Sequence, residues 1–283
     1  MLKNTSKGYS YSITGQLQRT FKEFYFNVAY TYADSRTVND GGSIAQSTWR
    51  DRVVSGDPNA DVASYASFRQ PNRIIASMSY RKEYVNHLAT SIGLTYEAAN
   101  NGVTSYVYNG DLNGDGQTSN DLIYVPKNAD DIMLVKDNNN DLRTSAQQYA
   151  QLSAYINQDP YLSKMKGKYA ERNGLVLPYY HLVNFNFTQD LYQTTGKVKN
   201  TLRFEFNMIN LGNFLNRNWG NYKFVNRTGL LAFKGVDAAT GKPTFSFPYF
   251  DNANQIPLTN SFGNGVSQLS RWQAQFGFRY IFN

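Results

Sequence analysis

The chain ends on the segment RWQAQFGFRYIF at residues 271–282, in which apolar and polar side chains alternate along most of the length. Trp272, Phe276, Phe278 and Tyr280 occupy one set of positions, and arginine, glutamine and glycine occupy the other. Successive side chains of a β-strand point to opposite faces of the sheet. The segment therefore predicts a strand with one aromatic face and one polar face.

Six further segments repeat this pattern in the rest of the chain. Their aromatic and aliphatic positions alternate with Ser, Thr, Asn, Gln, Gly and Arg. Crossing a bilayer at a tilt takes about 9–11 residues, whereas strands of soluble proteins usually have about five or six. The segments are long enough to span a bilayer, which favours transmembrane strands over a soluble sandwich. The seven predicted strands lie near residues 9–20, 24–35, 71–81, 88–98, 179–189, 201–212 and 270–283.

The lengths of the connections between these strands also alternate. Residues 20–23 and 82–87 are short connections and residues 189–200 a moderate one, whereas the connections at 35–70, 100–177 and 213–270 are long. Outer-membrane barrels have short periplasmic turns and longer extracellular loops. The sequence therefore predicts an all-β fold, an antiparallel transmembrane β-barrel with long extracellular loops.

Seven strands do not complete such a barrel. Bacterial single-chain barrels have an even number of strands, and an open sheet would leave unpaired backbone groups in lipid. We therefore expect residues 1–283 to be the C-terminal portion of a larger barrel, here a partial barrel of about seven strands. A further strand within residues 213–270, around 222–236, would change the count, but an extracellular hairpin is expected there instead.

The composition excludes several classes of protein. Aromatic residues make up 15% of the chain, which excludes a disordered protein. No stretch approaches the roughly 18–20 consecutive apolar residues of a membrane-spanning helix. The chain has no cysteine, which excludes disulfides, thiolate zinc sites and a catalytic thiol. The net charge of +7 is not gathered into a basic run, so no nucleic-acid partner is expected.

Four segments resemble one known family. The stretch TLRFEFNMINLGNFLN at 201–216 is similar to a late-barrel segment of TonB-dependent outer-membrane receptors, and residues 272–282 resemble their aromatic terminal strand. The stretches QPNRIIASMSY at 70–80 and NDLIYVP at 120–126 resemble Oar-like members, which carry a carboxypeptidase-regulatory-like N-terminal domain. The likeness covers essentially the whole chain, as the C-terminal third of such a receptor.

The resemblance implies a barrel of about 22 strands closed by an N-terminal plug. It implies active nutrient uptake across the cell outer membrane of a Gram-negative bacterium, powered by the inner-membrane TonB complex. The plug domain, through which TonB acts, is absent from residues 1–283. The implied partners are the outer-membrane bilayer, the plug, the remaining strands, the TonB complex and the barrel-assembly machinery. The implied signal for that machinery comprises Phe276, Phe278, Tyr280 and Phe282.

One polar segment is a candidate calcium loop. Oxygen-bearing side chains alternate along it, and Gly116 stands at the sixth position, where a calcium loop turns sharply. Calcium is the only cofactor that the sequence suggests. The alternative is a cluster of Asx and glycine turns, because the twelfth position, an acidic one in EF-hands, is Leu122. The candidate ligands are Asp111, Asn113, Asp115, Gln117 and Asp121.

Five aromatic residues in the predicted extracellular loops are candidates for binding the substrate. Aromatic rings can stack on a sugar or contact a peptide over a large area. The alternative is that these rings pack the loops against each other. The candidates are Trp49, Tyr106, Tyr108, Trp219 and Tyr222.

Charged residues on the predicted polar face are expected to point into the lumen. Arg73, Arg81, Arg203, Arg271 and Arg279 lie there with Glu97 and Glu205, and we expect Glu205 to pair with Arg279. No enzymatic activity is expected, since neither of the two histidines, His87 and His181, has an evident nucleophile partner.

Two other functions compete with a TonB-dependent receptor. One is a different outer-membrane barrel, such as a porin or an adhesin. The other is a soluble extracellular β-protein that binds glycan and calcium.

Overall fold

The computed structural model of the chain describes residues 4–282. Seven long strands run antiparallel in chain order, each paired with the next, and Ser64–Tyr65 joins the second as a short additional strand. All seven predicted strands are present; the predicted range 270–283 includes Asn283, which lies outside the described residues. The strands are β1 (Gly8–Phe21), β2 (Phe24–Thr37), β3 (Asn72–Tyr84), β4 (Leu88–Asn100), β5 (Tyr179–Thr195), β6 (Val198–Ile209) and β7 (Gln273–Phe282).

The sheet is open within residues 4–282. β1 pairs only with β2 and β7 only with β6, so the sheet has two free edges and no closed barrel forms in the described part of the chain. The fold is therefore all-β and antiparallel, as the alternating pattern predicts.

The short and long connections lie at opposite ends of this sheet. Three tight turns join β1 to β2, β3 to β4, and β5 to β6, and residues with positive φ close them, among them Lys22, Asn86 and Gly196. The prediction of a moderate connection at residues 189–200 is wrong. β5 continues to Thr195, and only two residues separate it from β6.

Gln189 explains this difference. It interrupts the apolar positions of β5, yet it stays in the strand because its Oε1 accepts hydrogen bonds from Thr90 (2.6 Å) and Tyr84 (3.2 Å). The apolar pattern resumes at Leu191, which pairs with Leu202 on β6.

The three long connections, residues 38–71, 101–178 and 210–272, hold the remaining elements and are called the loop assembly here. The helices are α1 (Ala45–Arg50), α2 (Ser145–Gln158) and α3 (Leu211–Leu215), with 3-10 turns at Ala129–Asp131, Leu162–Lys164 and Gln268–Ser270. The other short strands are Val103–Thr104, Val107–Asn109, Tyr124–Val125, Met133–Leu134, Lys168–Tyr169, Leu175–Val176, Lys223–Val225, Gly229–Val236, Pro243–Ser246 and Phe262–Asn264.

The loop assembly contains a hydrophobic core of its own. α2 begins with a capping box between Thr144 and Gln147, and its buried side chains recur at helical spacing. They pack with residues of the second and third long connections, among them Tyr106, Leu162, Leu230 and Phe247.

A hairpin overlaps the expected range 222–236 only in part: Gly229–Val236 pairs with Pro243–Ser246 in a small sheet of the loop assembly, whereas Lys223–Val225 pairs with Phe262–Asn264. It adds no strand to the main sheet.

Candidate functional site

One face of the main sheet exposes its apolar side chains. Phe276 is 67% exposed and Phe278 is 77% exposed. The rings of Phe204 and Phe206 on β6 lie beside them, with Phe206 and Phe276 centroids 4.8 Å apart. We call this surface the apolar face. Its exposed members include Tyr9, Tyr11, Ile13, Leu17, Phe26, Val28, Tyr30, Tyr32, Leu202, Phe276, Phe278, Tyr280 and Phe282.

The opposite face of the sheet carries ion pairs between neighbouring strands. Arg203 donates two hydrogen bonds to the buried carboxylate of Asp190, at 2.6 and 2.9 Å. Arg73 pairs with Glu97 at 3.0 Å. The two pairs lie toward opposite ends of the strands, and both are on the face that the sequence predicts to be polar.

The predicted pair of Glu205 and Arg279 is confirmed. Their Oε2 and Nη2 atoms are 3.6 Å apart. The pair is diagonal, because Glu205 lies opposite Gly277 and Arg279 lies opposite Arg203 in the register of β6 and β7. Arg203 is therefore left to bind Asp190, a partner that the sequence interpretation missed because it ended the strand at residue 189.

Two of the five aromatic candidates are buried. Tyr106 is 0% exposed, and its hydroxyl donates to Asp159 Oδ2 at 2.7 Å. Tyr108 is 4% exposed, and its hydroxyl accepts from the Tyr124 amide at 3.1 Å. Burial raises the pKa of Tyr108 to about 12 and that of Tyr106 well above its usual range. Both rings are core residues of the loop assembly and cannot contact a substrate in this arrangement, which corrects that part of the prediction.

The other three aromatic candidates are accessible to different extents. Trp49 is exposed, its indole N–H donates to Asn59 Oδ1 at 3.0 Å, and it lines an open depression of about 380 Å³. Trp219 is also exposed. Tyr222 is half-buried against Tyr180, with ring centroids 4.5 Å apart. Trp49 and Trp219 thus remain candidates for ligand contact.

The candidate calcium loop is closed by its own backbone amides. Asp111 accepts from the amides of Gly114, Asp115 and Gly116, and Asp115 accepts from that of Gln117. Asp121 accepts from the amides of Leu112 and Asn113, and burial raises its pKa.

The side chain of Asn113 accepts from the Asp115 amide, while that of Gln117 donates to Asp51. No three acidic or histidine side chains within residues 4–282 are arranged to hold a metal ion. The arrangement corresponds to the alternative, a cluster of Asx and glycine turns.

A partly open cavity of about 240 Å³ lies between the first and second long connections. Arg52 lines it and donates to the carbonyls of Pro58 (2.7 Å) and Ala60 (2.9 Å). Arg172 also lines it and donates to Thr37 at the end of β2. Burial lowers the pKa of both arginines. The sequence interpretation missed this cavity, because residues 120 positions apart in loops without periodicity give no signal of proximity.

The asparagines of the segment 201–216 have structural roles. Asn210 adopts a left-handed conformation (φ 56°) after β6, and its side chain donates to the Gly220 carbonyl at 2.9 Å. Asn213 donates to the carbonyls of Arg217 (3.1 Å) and Trp219 (3.0 Å) and accepts from the Trp272 amide (3.3 Å). The two side chains thereby join the end of β6 to the segment that leads into β7.

The two histidines lie apart from each other. His181 on β5 forms a hydrogen bond with the Tyr96 hydroxyl across to β4, with Nδ1 and the oxygen 2.8 Å apart. His87 lies in the turn between β3 and β4, and its carbonyl accepts from the Tyr192 amide.

Within residues 4–282, none of the helices has the length and apolar character needed to cross a membrane. Comparison of the chain with known proteins finds no matching family model, no matching curated protein and no matching solved structure.

Proposed function

We propose that this chain is the C-terminal barrel portion of a TonB-dependent outer-membrane receptor, a protein of active nutrient uptake in a Gram-negative cell. The observation that carries the proposal is the apolar face of the main sheet, which no other part of residues 4–282 covers. Its large side chains stay exposed on strands of 10–17 residues, long enough to cross a bilayer.

The opposite face supports the same assignment. Its ion pairs and hydrogen-bonded amides suit a water-filled lumen, in which charged groups keep part of their hydration. A sheet with hydrocarbon on one face and water on the other explains why apolar side chains are left uncovered while acidic and basic side chains are paired. The uncovered free edges of β1 and β7 would pair with the remaining strands of the barrel.

The assignment to TonB-dependent receptors rests on the resemblance of four segments, described above. Two of their asparagines form side-chain hydrogen bonds after β6: Asn210 with the Gly220 carbonyl, and Asn213 with the amide of Trp272, the residue before β7. The segment therefore has a structural reason for its pattern. The loop assembly lies at the end of the main sheet where a receptor would meet its ligand. Trp49 and the cavity lined by Arg52 and Arg172 are candidate contacts for that ligand.

Refolding the full chain into phosphatidylcholine vesicles tests the membrane part of the proposal. We expect the chain to stay with the vesicles after alkaline washing and to migrate differently in detergent gels before and after heating. A chain that is monomeric and folded in buffer without detergent would instead favour the soluble glycan-binding protein.

The reading frame upstream of Met1 tests the receptor part. A TonB-dependent receptor requires a plug domain encoded there, ahead of the remaining strands. An upstream frame that encodes barrel strands without a plug would favour a porin or an adhesin.

A further inference from the structure

The cavity between the first and second long connections combines charged and apolar side chains. It measures about 240 Å³, the volume of about eight water molecules in the liquid, so it has room for one small organic molecule. The charged side chains that line it are Arg52, Arg172, Asp57 and Glu171. Most of its other side chains are apolar, among them Val53, Val54, Val62, Ala63, Leu122 and Ala170. The cavity therefore offers both signs of charge beside an apolar surface.

Neither arginine of the cavity is neutralised by a carboxylate in hydrogen-bond contact. Arg52 donates to main-chain carbonyls, and its buried Nε has no partner within residues 4–282. Arg172 is 7% exposed; its Nη2 donates to Thr37, and its Nη1 is 3.8 Å from Asp40 Oδ2, beyond hydrogen-bond distance. Burial lowers the pKa of Arg172, and repulsion from the nearby charge of Arg52 lowers it further. An anionic group in the cavity would offset that repulsion.

The two acidic side chains of the cavity have no basic partner either. Within residues 4–282 neither Asp57 nor Glu171 forms an ion pair, although both line the same cavity as the arginines. Asp57 is exposed and accepts from the Asn59 amide at 2.7 Å. Glu171 is half-buried, and its carboxylate accepts no hydrogen bond from the described residues. Opposite charges that line one small cavity without touching leave space for a molecule that carries both charges.

We propose that this cavity binds a small amino acid with an apolar side chain, in its zwitterionic form. Arg52 and Arg172 bind the carboxylate, Glu171 binds the ammonium group, and the apolar wall contacts the side chain. Hydrogen bonds between guanidinium and carboxylate groups are among the strong ones in proteins, and burial of the apolar side chain adds to the free energy of binding. The inference rests on the proposed function, because it names the class of ligand at a candidate contact of the receptor.

Three ligands with the same branched hydrocarbon group test the site. Leucine carries both charges, isocaproate lacks the ammonium group, and isopentylamine lacks the carboxylate. Binding of each ligand to the full chain, refolded in detergent, is measured by isothermal titration calorimetry. We expect leucine to bind about tenfold more tightly than either analogue, because each analogue leaves charged groups of the cavity without a partner.

A matched pair of substitutions tests the role of Glu171. Glu171→Gln removes the partner of the ammonium group, so it should weaken the binding of leucine about tenfold and leave that of isocaproate unchanged. Glu23→Gln makes the same change at an exposed position in the turn between β1 and β2, and it should alter neither affinity.

Three results would overturn the inference: no binding of leucine, equal affinity for the three ligands, or an unchanged affinity for leucine in Glu171→Gln. None of them bears on insertion into vesicles or on a plug encoded upstream, so the proposed function would stand. A chain that binds leucine as expected but does not enter vesicles would keep the amino-acid site and lose the receptor role.

Discussion

The main sheet and the loop assembly place the same kinds of side chain in opposite environments. Phe278 on the sheet is 77% exposed, whereas Phe247 in the loop assembly is 0% exposed and packs against Tyr155. The loop assembly covers the rings of its core, Phe247 and Tyr155 among them, with protein, so this core can form in water. The sheet leaves its rings uncovered within residues 4–282, and under the proposed function the bilayer would cover them.

The largest effect that separates the two regions should come from one matched pair of substitutions. Phe247→Ala leaves a cavity in the core of the loop assembly and should lower the free energy of unfolding by about 3–5 kcal/mol. Phe278→Ala on the apolar face leaves no cavity, because lipid or detergent fills the space, and should cost only about 1.5–3 kcal/mol. Urea unfolding of both variants in detergent micelles measures the difference, and a larger loss for Phe278→Ala would contradict the comparison.

Gly220 in the long connection after β6 and Gly196 in the short turn between β5 and β6 form a matched pair of glycines, both at φ 64°. At Gly220 a Cβ atom would lie 1.8 Å from Asn210 Oδ1, whereas at Gly196 it would meet nothing within 4 Å. Gly196→Ala should cost about 1–2 kcal/mol for the left-handed backbone alone. Gly220→Ala should cost roughly 1 kcal/mol more, because it also displaces the side chain that binds the Gly220 carbonyl. Equal losses in chemical denaturation would show that Asn210 does not stabilise this connection.

Acid should weaken the loop assembly through Asp141. The buried Asp141 accepts two hydrogen bonds from the Arg143 guanidinium, both at 2.9 Å, and they lower its pKa from 3.8 to about 2. A lowered pKa means that the ionised form stabilises the folded state, so the contribution is complete above the unfolded pKa. About 2 kcal/mol should be lost as the pH falls from about 4 to about 2.

Hydrogen exchange of peptides from the loop assembly measures this effect of acid. Protection of residues around Asp141 should fall across that pH range. Asp141→Asn should be less stable at neutral pH and should not show the same acid-dependent loss. The same pH dependence in that variant would assign the effect to other groups.

The smallest effect is expected on the polar face. Glu205→Gln removes the pair with Arg279, whose side chain is 61% exposed and whose nitrogen is 3.6 Å away. Such exposed pairs contribute about 0.2–1 kcal/mol. A larger loss in urea unfolding would mean that the face is drier than a water-filled lumen.

The sequence predicts the main sheet well because apolar and polar residues alternate along each strand and so indicate its two faces. The exception is β5, where Gln189 interrupts the apolar positions and the prediction ends six residues early. Side chains of β3 and β4 form hydrogen bonds with Gln189 inside the sheet. The residue pattern of β5 alone does not show these partners.

The loop assembly was not predictable in the same way. Tyr106, Leu152 and Leu230 meet in one core although they come from segments without periodicity and far apart in the chain. An aromatic residue in a long loop therefore gives no sign of whether it is buried, as Tyr106 is, or exposed, as Trp49 is. The cavity of Arg52 and Arg172 likewise exists only after the loops have folded together.

The most direct test of the central claim is a scan of β7 with single cysteines, which the absence of native cysteine makes possible. Each position from Gln275 to Tyr280 is replaced in turn, spin-labelled and reconstituted in vesicles. Collision rates with oxygen, which concentrates in lipid, and with a water-soluble nickel complex are then measured. A sheet between lipid and water should give a period of two, with oxygen favoured at Phe276, Phe278 and Tyr280 and nickel favoured at Gln275, Gly277 and Arg279. Equal access to the nickel complex at all six positions would contradict a sheet that has hydrocarbon on one face and water on the other.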